Sequence, residues 1–218
     1  MATINENKNK ASTYTHDQYK FDSLEEREFY LFLRDALRLG LIESFTYQPE
    51  SFLLIPKAVE YINVPYKRKA GYKTVEKVLY QPHSYTADFV FKVKDKFFEY
   101  FPMLKNLLNF SKNNSVFVDI KGAYNRFGGD RQFAVNQKLV YHKYGVHINK
   151  VIPEKFFQKL GAAPDDIRWM KGRKVPTLKK SYIGVSSLDE VVGIGDKSPK
   201  TKVEEINIPF LKPRKRKV

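Results

Sequence analysis

Apolar residues in "FDSLEEREFYLFLRDALRLGLI" recur at three- and four-residue spacings: Leu24, Phe29, Tyr30, Leu33, Leu37 and Leu41. That period gathers them on one face and predicts an amphipathic helix, with Ser23 as its N-cap and Gly40 as its stop. The pattern then changes. "FTYQPESFLLIP" and "KTVEKVLYQ" are rich in β-branched and aromatic residues and are bounded by Pro, Gly and basic turns, so they predict strands. "SYTADFVFKV" and "SVFVDIKGAY" predict two more, separated by about 20 residues, "KDKFFEYFPMLKNLLNFSKNN". Phe97, Phe98, Phe101, Leu104, Leu107 and Leu108 make that insertion too apolar for a plain loop; short helices interrupted at Pro102 are expected, packed as a flap on the domain or on a partner. "DRQFAVNQKLVYHKYG" returns to helical spacing and stops at Gly145, "VHINKVIP" predicts a strand, and Pro153 opens a helix that ends at Gly161.

The order helix, strands, helix, strand, helix predicts an α/β fold with a mixed sheet flanked by helices. Residues 1–20 are polar and aperiodic and read as a flexible N-terminal arm, residues 21–180 as one domain with an insertion at about 94–114, and residues 181–218 as a basic tail or linker. Composition agrees with one packed domain: 218 residues with 17 Phe and 14 Tyr supply a core. The absence of Cys rules out disulfides and thiolate metal sites and favours an intracellular location. No apolar run approaches the roughly 20 residues that span a bilayer, so no membrane partner is expected. A net charge of +15 favours a polyanion, DNA above all, as partner.

Two predicted strands carry acids in apolar surroundings. Asp88 interrupts "YTADFVF", and in "VFVDIKG" strand alternation sends Asp119 and Lys121 to one face and Ile120 to the other. Burying such a pair is costly without partners. An acid-x-Lys tripeptide is expected roughly three times by chance in a chain of this composition, and an edge-strand salt bridge, or a strand end where the side chains reach water, would also account for it. With a further acid in the first helix, however, the set has the parts of metal-assisted phosphodiester hydrolysis. Carboxylates and a strand carbonyl suit Mg²⁺, a hard cation, and a nearby ammonium suits developing negative charge.

These motifs resemble the PD-(D/E)XK nuclease superfamily over residues 21–152, most closely its small phage-type endonucleases and Holliday-junction resolvases. The resemblance implies a restriction-endonuclease-like core of a helix, three strands, a helix and a further strand. Ala87 and Asp88 stand at the "PD" position, with the proline missing; Asp119, Ile120 and Lys121 stand at "(D/E)XK"; Glu26 of "FDSLEEREFY" stands at the helix acid, with Glu25 as the alternative. The activity it implies is that of a Mg²⁺-dependent DNA endonuclease, with Mn²⁺ able to substitute, acting on branched, replicating or duplex DNA. Asp88, Asp119, Glu26 and the Ile120 carbonyl would hold metal, and Lys121 would serve the attacking water. Gln137 and Tyr141 match the Q-x-x-x-Y of RecB-like relatives and, with Arg131 and Lys138 of the same helix, are expected at the DNA. Resolvases of this kind work as homodimers, for which the flap from Phe97 to Leu108 is a candidate surface.

Each assignment has a structural competitor. Ser23 and Glu26 have the spacing of a capping box, in which the glutamate bonds the helix start instead of a metal. Gly122 would let the chain turn or approach a phosphate, or would simply end a strand. Arg173 and Lys174 of "RWMKGRKVPTLKK" would grip phosphates or form a solvated loop, and "YKRKAGYK" is a second candidate for backbone contact. The four histidines lack zinc spacing. "KPRKRKV" reads as a nuclear-localisation signal or as a nucleic-acid arm in a bacterial or phage cytoplasm. Two other functions stay open: a non-catalytic nucleic-acid-binding or assembly factor on a nuclease-like fold, and an end-processing exonuclease.

Overall fold

The computed structural model describes residues 14–17, 19–68, 70–122, 129–170, 175 and 177–193. In chain order the elements begin with β1 (Tyr14–His16), β2 (Tyr19–Phe21), α1 (Leu24–Arg38), β3 (Ile42–Tyr47) and β4 (Phe52–Ile55). There follow β5 (Ala58–Pro65), β6 (Tyr72–Tyr80), β7 (His83–Tyr85), β8 (Phe89–Val93), α2 (Asp95–Tyr100), α3 (Leu104–Leu107) and β9 (Ser115–Ile120). The remainder comprises α4 (Gly129–Tyr144), β10 (Ile148–Val151), α5 (Pro153–Leu160), β11 (Ala162–Ala163), α6 (Asp165–Arg168), β12 (Ser186–Ser187) and α7 (Leu188–Val192).

The fold is mixed α/β. Its main sheet has the order β10-β9-β8-β3, with β8 antiparallel to both neighbours and β9 parallel to β10. Strand alternation divides the residues of β9 between two layers: Val116, Val118 and Ile120 join the large core with α1 and α5, while Phe117 packs into a smaller core with Phe133 and Val140 of α4. Helices therefore cover both faces of the sheet. Phe29 and Phe32 of α1 meet Phe156 and Phe157 of α5 in an aromatic cluster that anchors the larger layer.

The predicted α1 starts at its Ser23 cap, and Gly40, at φ 68°, takes the left-handed turn that ends it. Elsewhere the chain departs from the sequence reading. The strand expected over "FTYQPESFLLIP" breaks into β3 and β4, because Gln48 adopts φ 47° directly before Pro49. "SYTADFVFKV" likewise divides into β7 and β8, leaving Asp88 at the break. The insertion does form α2 and α3 around Pro102, yet Phe97, Phe101, Leu104 and Leu108 are buried in the protomer's own core. Those side chains cannot also be a dimer surface.

Both expected domain limits move. Within the supposed arm, β1 and β2 form a hairpin against α1, where the Tyr30 hydroxyl donates to Asp17 at 2.6 Å. At the other end, Tyr182, Val185, Leu188 and Val192 are core residues, so the packed domain runs to Gly193 and not to residue 180. "KPRKRKV", Arg173 and Lys174 lie outside the described residues. Among the described residues no helix is long and apolar enough to cross a membrane.

Candidate active site

Asp88 and Asp119 are brought together by strand register. The β8–β9 pairing ends at Phe89 opposite Val118, and the Asp88 N–H still donates to the Val118 carbonyl at 3.0 Å. Asp88 thus shares Val118 with Phe89 at the end of the ladder and stands next to Asp119, near enough for that carboxylate to act on it. Like charges so placed repel. The backbone fixes Asp88 from both sides, since its carbonyl also accepts from the Gln48 N–H at 2.7 Å. Its carboxylate accepts the Ile120 N–H at 2.6 Å.

Asp119 is 4% exposed. The Tyr85 hydroxyl donates to its Oδ1 at 2.7 Å. Its Oδ2 is shut off from solvent and accepts no hydrogen bond of ordinary geometry; it faces the Lys121 ammonium in an ion pair. Lys121 follows Asp119 by two residues and so leaves the sheet on the same face, with Nζ 5.9 Å from the centre of the Phe133 ring. Burial pushes the Asp88 carboxyl up to about 7, and the charges of Asp119 and then Glu26 add to the shift. Burial and the neighbouring Asp119 also push the Tyr85 hydroxyl upward, so it stays a donor.

Glu26 caps its helix and borders this site as well. Its N–H donates to Ser23 Oγ at 3.1 Å, while its carboxylate accepts from the Asp22 N–H, the Ser23 hydroxyl and the Tyr47 hydroxyl at 3.2, 3.2 and 2.9 Å. The returning bond reaches the backbone one residue before the cap, a variant of the capping box. Burial raises the Glu26 carboxyl above its ordinary value. Gly122 lies just past the end of β9, and a Cβ there would stand 3.0 Å from Glu25 Oε1, so the missing side chain also makes room for that acid.

Glu26, Asp119, Ile120 and Lys121 open onto a cavity of about 430 Å³, which Tyr85, Gln132 and Asn136 also line. Gln137 and Tyr141 do not line it. The Gln137 amide donates to the Ile148 carbonyl at 2.5 Å, tying α4 to β10, and Tyr141 is 60% exposed. At 1.5 Å rise per residue, Tyr141 lies about 12 Å along the helix from Phe133 at the cavity. Arg131 and Lys138 are on the outer side of α4, in line with Val135 and His142 at helical spacing. The residues that sequence reasoning missed are Tyr47, Tyr85, Gln132 and Asn136. Tyr85 and Tyr47 reach their acids from 34 and 21 positions away, and no local spacing announces that.

The donors present are all oxygen, the chemistry that Mg²⁺ or Mn²⁺ would take, and Asp119 Oδ2, held only by the Lys121 ammonium, would be the atom to turn to such an ion. The fit rests on two carboxylates. Among the described residues no three His, Asp or Glu side chains stand at metal-ligand spacing. Comparison of the chain with protein-family models, curated proteins and solved structures gives no match.

Proposed function

We propose that the chain is a Mg²⁺-dependent deoxyribonuclease, an endonuclease that hydrolyses phosphodiester bonds in branched or replicating DNA after the manner of a Holliday-junction resolvase. The observation that carries this reading is the meeting of Asp88, Asp119 and Lys121 at one end of the sheet, beside a cavity open to solvent. The order α1, β3, β8, β9, α4 and β10 supports it further, being the order that the PD-(D/E)XK resemblance implies for a restriction-endonuclease-like core.

Asp88 and Asp119 would hold the cation, with the Ile120 carbonyl adjacent and Glu26 in reserve behind its cap. When bound, it would supply a Lewis acid that sharpens a water for attack and offsets phosphate charge. Lys121, released from Asp119 as that carboxylate turns to the cation, would place its ammonium against the phosphate oxygens that gain charge as water adds to phosphorus. Tyr85 keeps Asp119 in orientation throughout. The walls formed by Gln132 and Asn136 would position the strand.

The test is cleavage of four-way junction, flap and linear DNA in Mg²⁺ and in Mn²⁺. Discrete products from the wild type and at least a roughly hundredfold loss in Asp119→Asn are expected, in line with removal of one essential charge-stabilising group. Absence of cutting on all three substrates, or equal cutting by Asp119→Asn, refutes the reading; progressive loss of linear DNA alone would identify an exonuclease. One observation favours a non-catalytic DNA-binding factor on the same scaffold: the Asp119–Lys121 ion pair and the Glu26 cap satisfy much of the charge without metal. That alternative predicts binding without cleavage.

A further inference from the structure

β5 and β6 pair only with each other among the described residues, in a continuous antiparallel register from Val59 opposite Val78 to Pro65 opposite Tyr72. The tyrosine-bearing face of this ribbon is open to solvent, while Ile62 and Val64 of β5 and Val75 of β6, on the other face, are half-buried. Tyr61, Tyr72 and Tyr80 are 69%, 71% and 70% exposed, far above what a core-facing strand would show. An isolated two-stranded hairpin is marginal in water, and no other described strand pairs with this one.

Charge on the ribbon is segregated along its length. Near the root, Glu76 pairs with Lys57 and Glu60 with Lys77, so both acids are neutralised by cross-strand lysines. At the far end Lys67, Arg68 and Lys73 are exposed and pair with no acid among the described residues. The turn between them is closed by the Tyr66 N–H donating to the Gly71 carbonyl at 3.0 Å. One broad face carries Tyr61, Asn63, Thr74 and Tyr72, placed together by the register, with the Thr74 hydroxyl on Asn63 at 2.9 Å.

The root of this ribbon is the candidate site itself. β4 and β7 continue the two strands inward, Phe52 pairs with Tyr85, and Tyr85 holds Asp119. From there β5 alone reaches about 26 Å outward at 3.3 Å per residue. Duplex DNA presents a phosphate charge about every 1.7 Å of axis, and its major groove admits a two-stranded ribbon. We propose that the β5–β6 ribbon is a DNA-binding arm, which lies along the duplex flanking the scissile position with its outer cations on phosphates and its tyrosine face toward the groove. The inference rests on the nuclease reading and adds the place where the duplex lies. It selects a polyanion over a second copy of the chain because the unpaired charge at the tip is all of one sign.

The experiment is equilibrium binding of a fluorescent duplex in EDTA across a salt series, with duplexes that extend either a few or about 15 base pairs to one side. The full chain is compared with Lys67→Gln/Arg68→Gln/Lys73→Gln and with a control of equal charge loss at the other end of the sheet, Lys94→Gln/Lys96→Gln/Lys105→Gln. The arm variant should lose the preference for the longer duplex, bind it roughly tenfold or more weakly at low salt, and show a salt slope shallower by about 2 to 3; the control should keep all three properties. Equal affinity and slope in wild type and arm variant overturn the arm while leaving cleavage, and hence the nuclease reading, intact. If the wild type cuts junctions but binds no duplex, the arm again fails alone; if it neither cuts nor binds, both fail. A wild-type dimer in light scattering that the arm variant loses would assign the ribbon to a second copy and refute the DNA assignment.

Discussion

Asp88 stands one residue outside β8, held by its own backbone and beside a second carboxylate, and its ionisation should leave a thermodynamic trace. Its folded pKa of about 7 lies above the ordinary 3.8, so between these values the native chain binds more protons than the unfolded one. Stability without metal must then fall as pH rises through that window, and the loss is complete above about 7. Asp88→Asn keeps an acceptor for the Ile120 N–H but cannot ionise. In EDTA the variant should be more stable than wild type at pH 8, by on the order of 1–3 kcal/mol, and nearly equal at about pH 4. Parallel pH profiles of melting temperature for the two proteins would contradict this. Added Mg²⁺ should raise the wild-type melting temperature most at high pH, where no proton competes, and should barely move the variant. Asp119 and Lys121 were legible as a pair because strand alternation is local. Their partners Tyr85 and Tyr47 were not, since those contacts depend on where distant strands come to rest.

At the scale of elements, the well-read segments are those with one buried face. α1 declares itself by its 3.6-residue period and its cap, and β9 by alternation against two unequal cores. β5 did not, because "AVEYINVP" alternates only in its second half, where half-buried Ile62 and Val64 stand between exposed Tyr61, Asn63 and Pro65. α4 shows the same limit in another form: its helical character was evident, but which face meets the cavity depends on how the helix crosses the sheet. Gln137 acts there as a tie to β10, and Gln132 as a cavity wall. Gln137→Ala should therefore lower stability by about 1–2 kcal/mol, leaving the Ile148 carbonyl short of a donor, while specific cleavage is retained. Gln132→Ala should do the reverse, with an unchanged melting curve and kcat/KM down roughly tenfold, the equivalent of one lost hydrogen bond to the strand. If the Gln137 variant loses cleavage at unchanged stability, the helix faces have been assigned the wrong way round.

For the whole molecule the decisive region is the one whose sequence looked least structured. Residues 181–193 lack a long period because they contribute one short turn after another: Tyr182, then β12 parallel to β11, then a five-residue α7. A local signal was present in Ser187 and Glu190, which form a full capping box. Their packing is tertiary. Tyr182, Val185, Leu188 and Val192 enter the large core, and Asp189 of α7 accepts two hydrogen bonds from Arg38 of α1 at 2.8 and 2.7 Å. Burying each of the four apolar side chains contributes about 1.5–3 kcal/mol, and their sum, about 6–12 kcal/mol, matches the entire net stability of an ordinary domain, roughly 5–15 kcal/mol. The exposed Arg38–Asp189 pair adds little to that. A chain ending at residue 180 should thus lose cooperative thermal unfolding and near-ultraviolet circular dichroism, because α1 and α5 would then expose the apolar surfaces that these residues cover. A chain ending at Gly193 keeps every one of these contacts and should melt cooperatively. Because α1 carries Glu26, which lines the cavity, loss of the C-terminal cover should also remove any junction cleavage, although no described residue after 180 touches the acids of the site. Cooperative melting of the 1–180 chain within a few degrees of the 1–193 chain would show that the final segment is an appendage and that the sheet and its flanking helices stand without it.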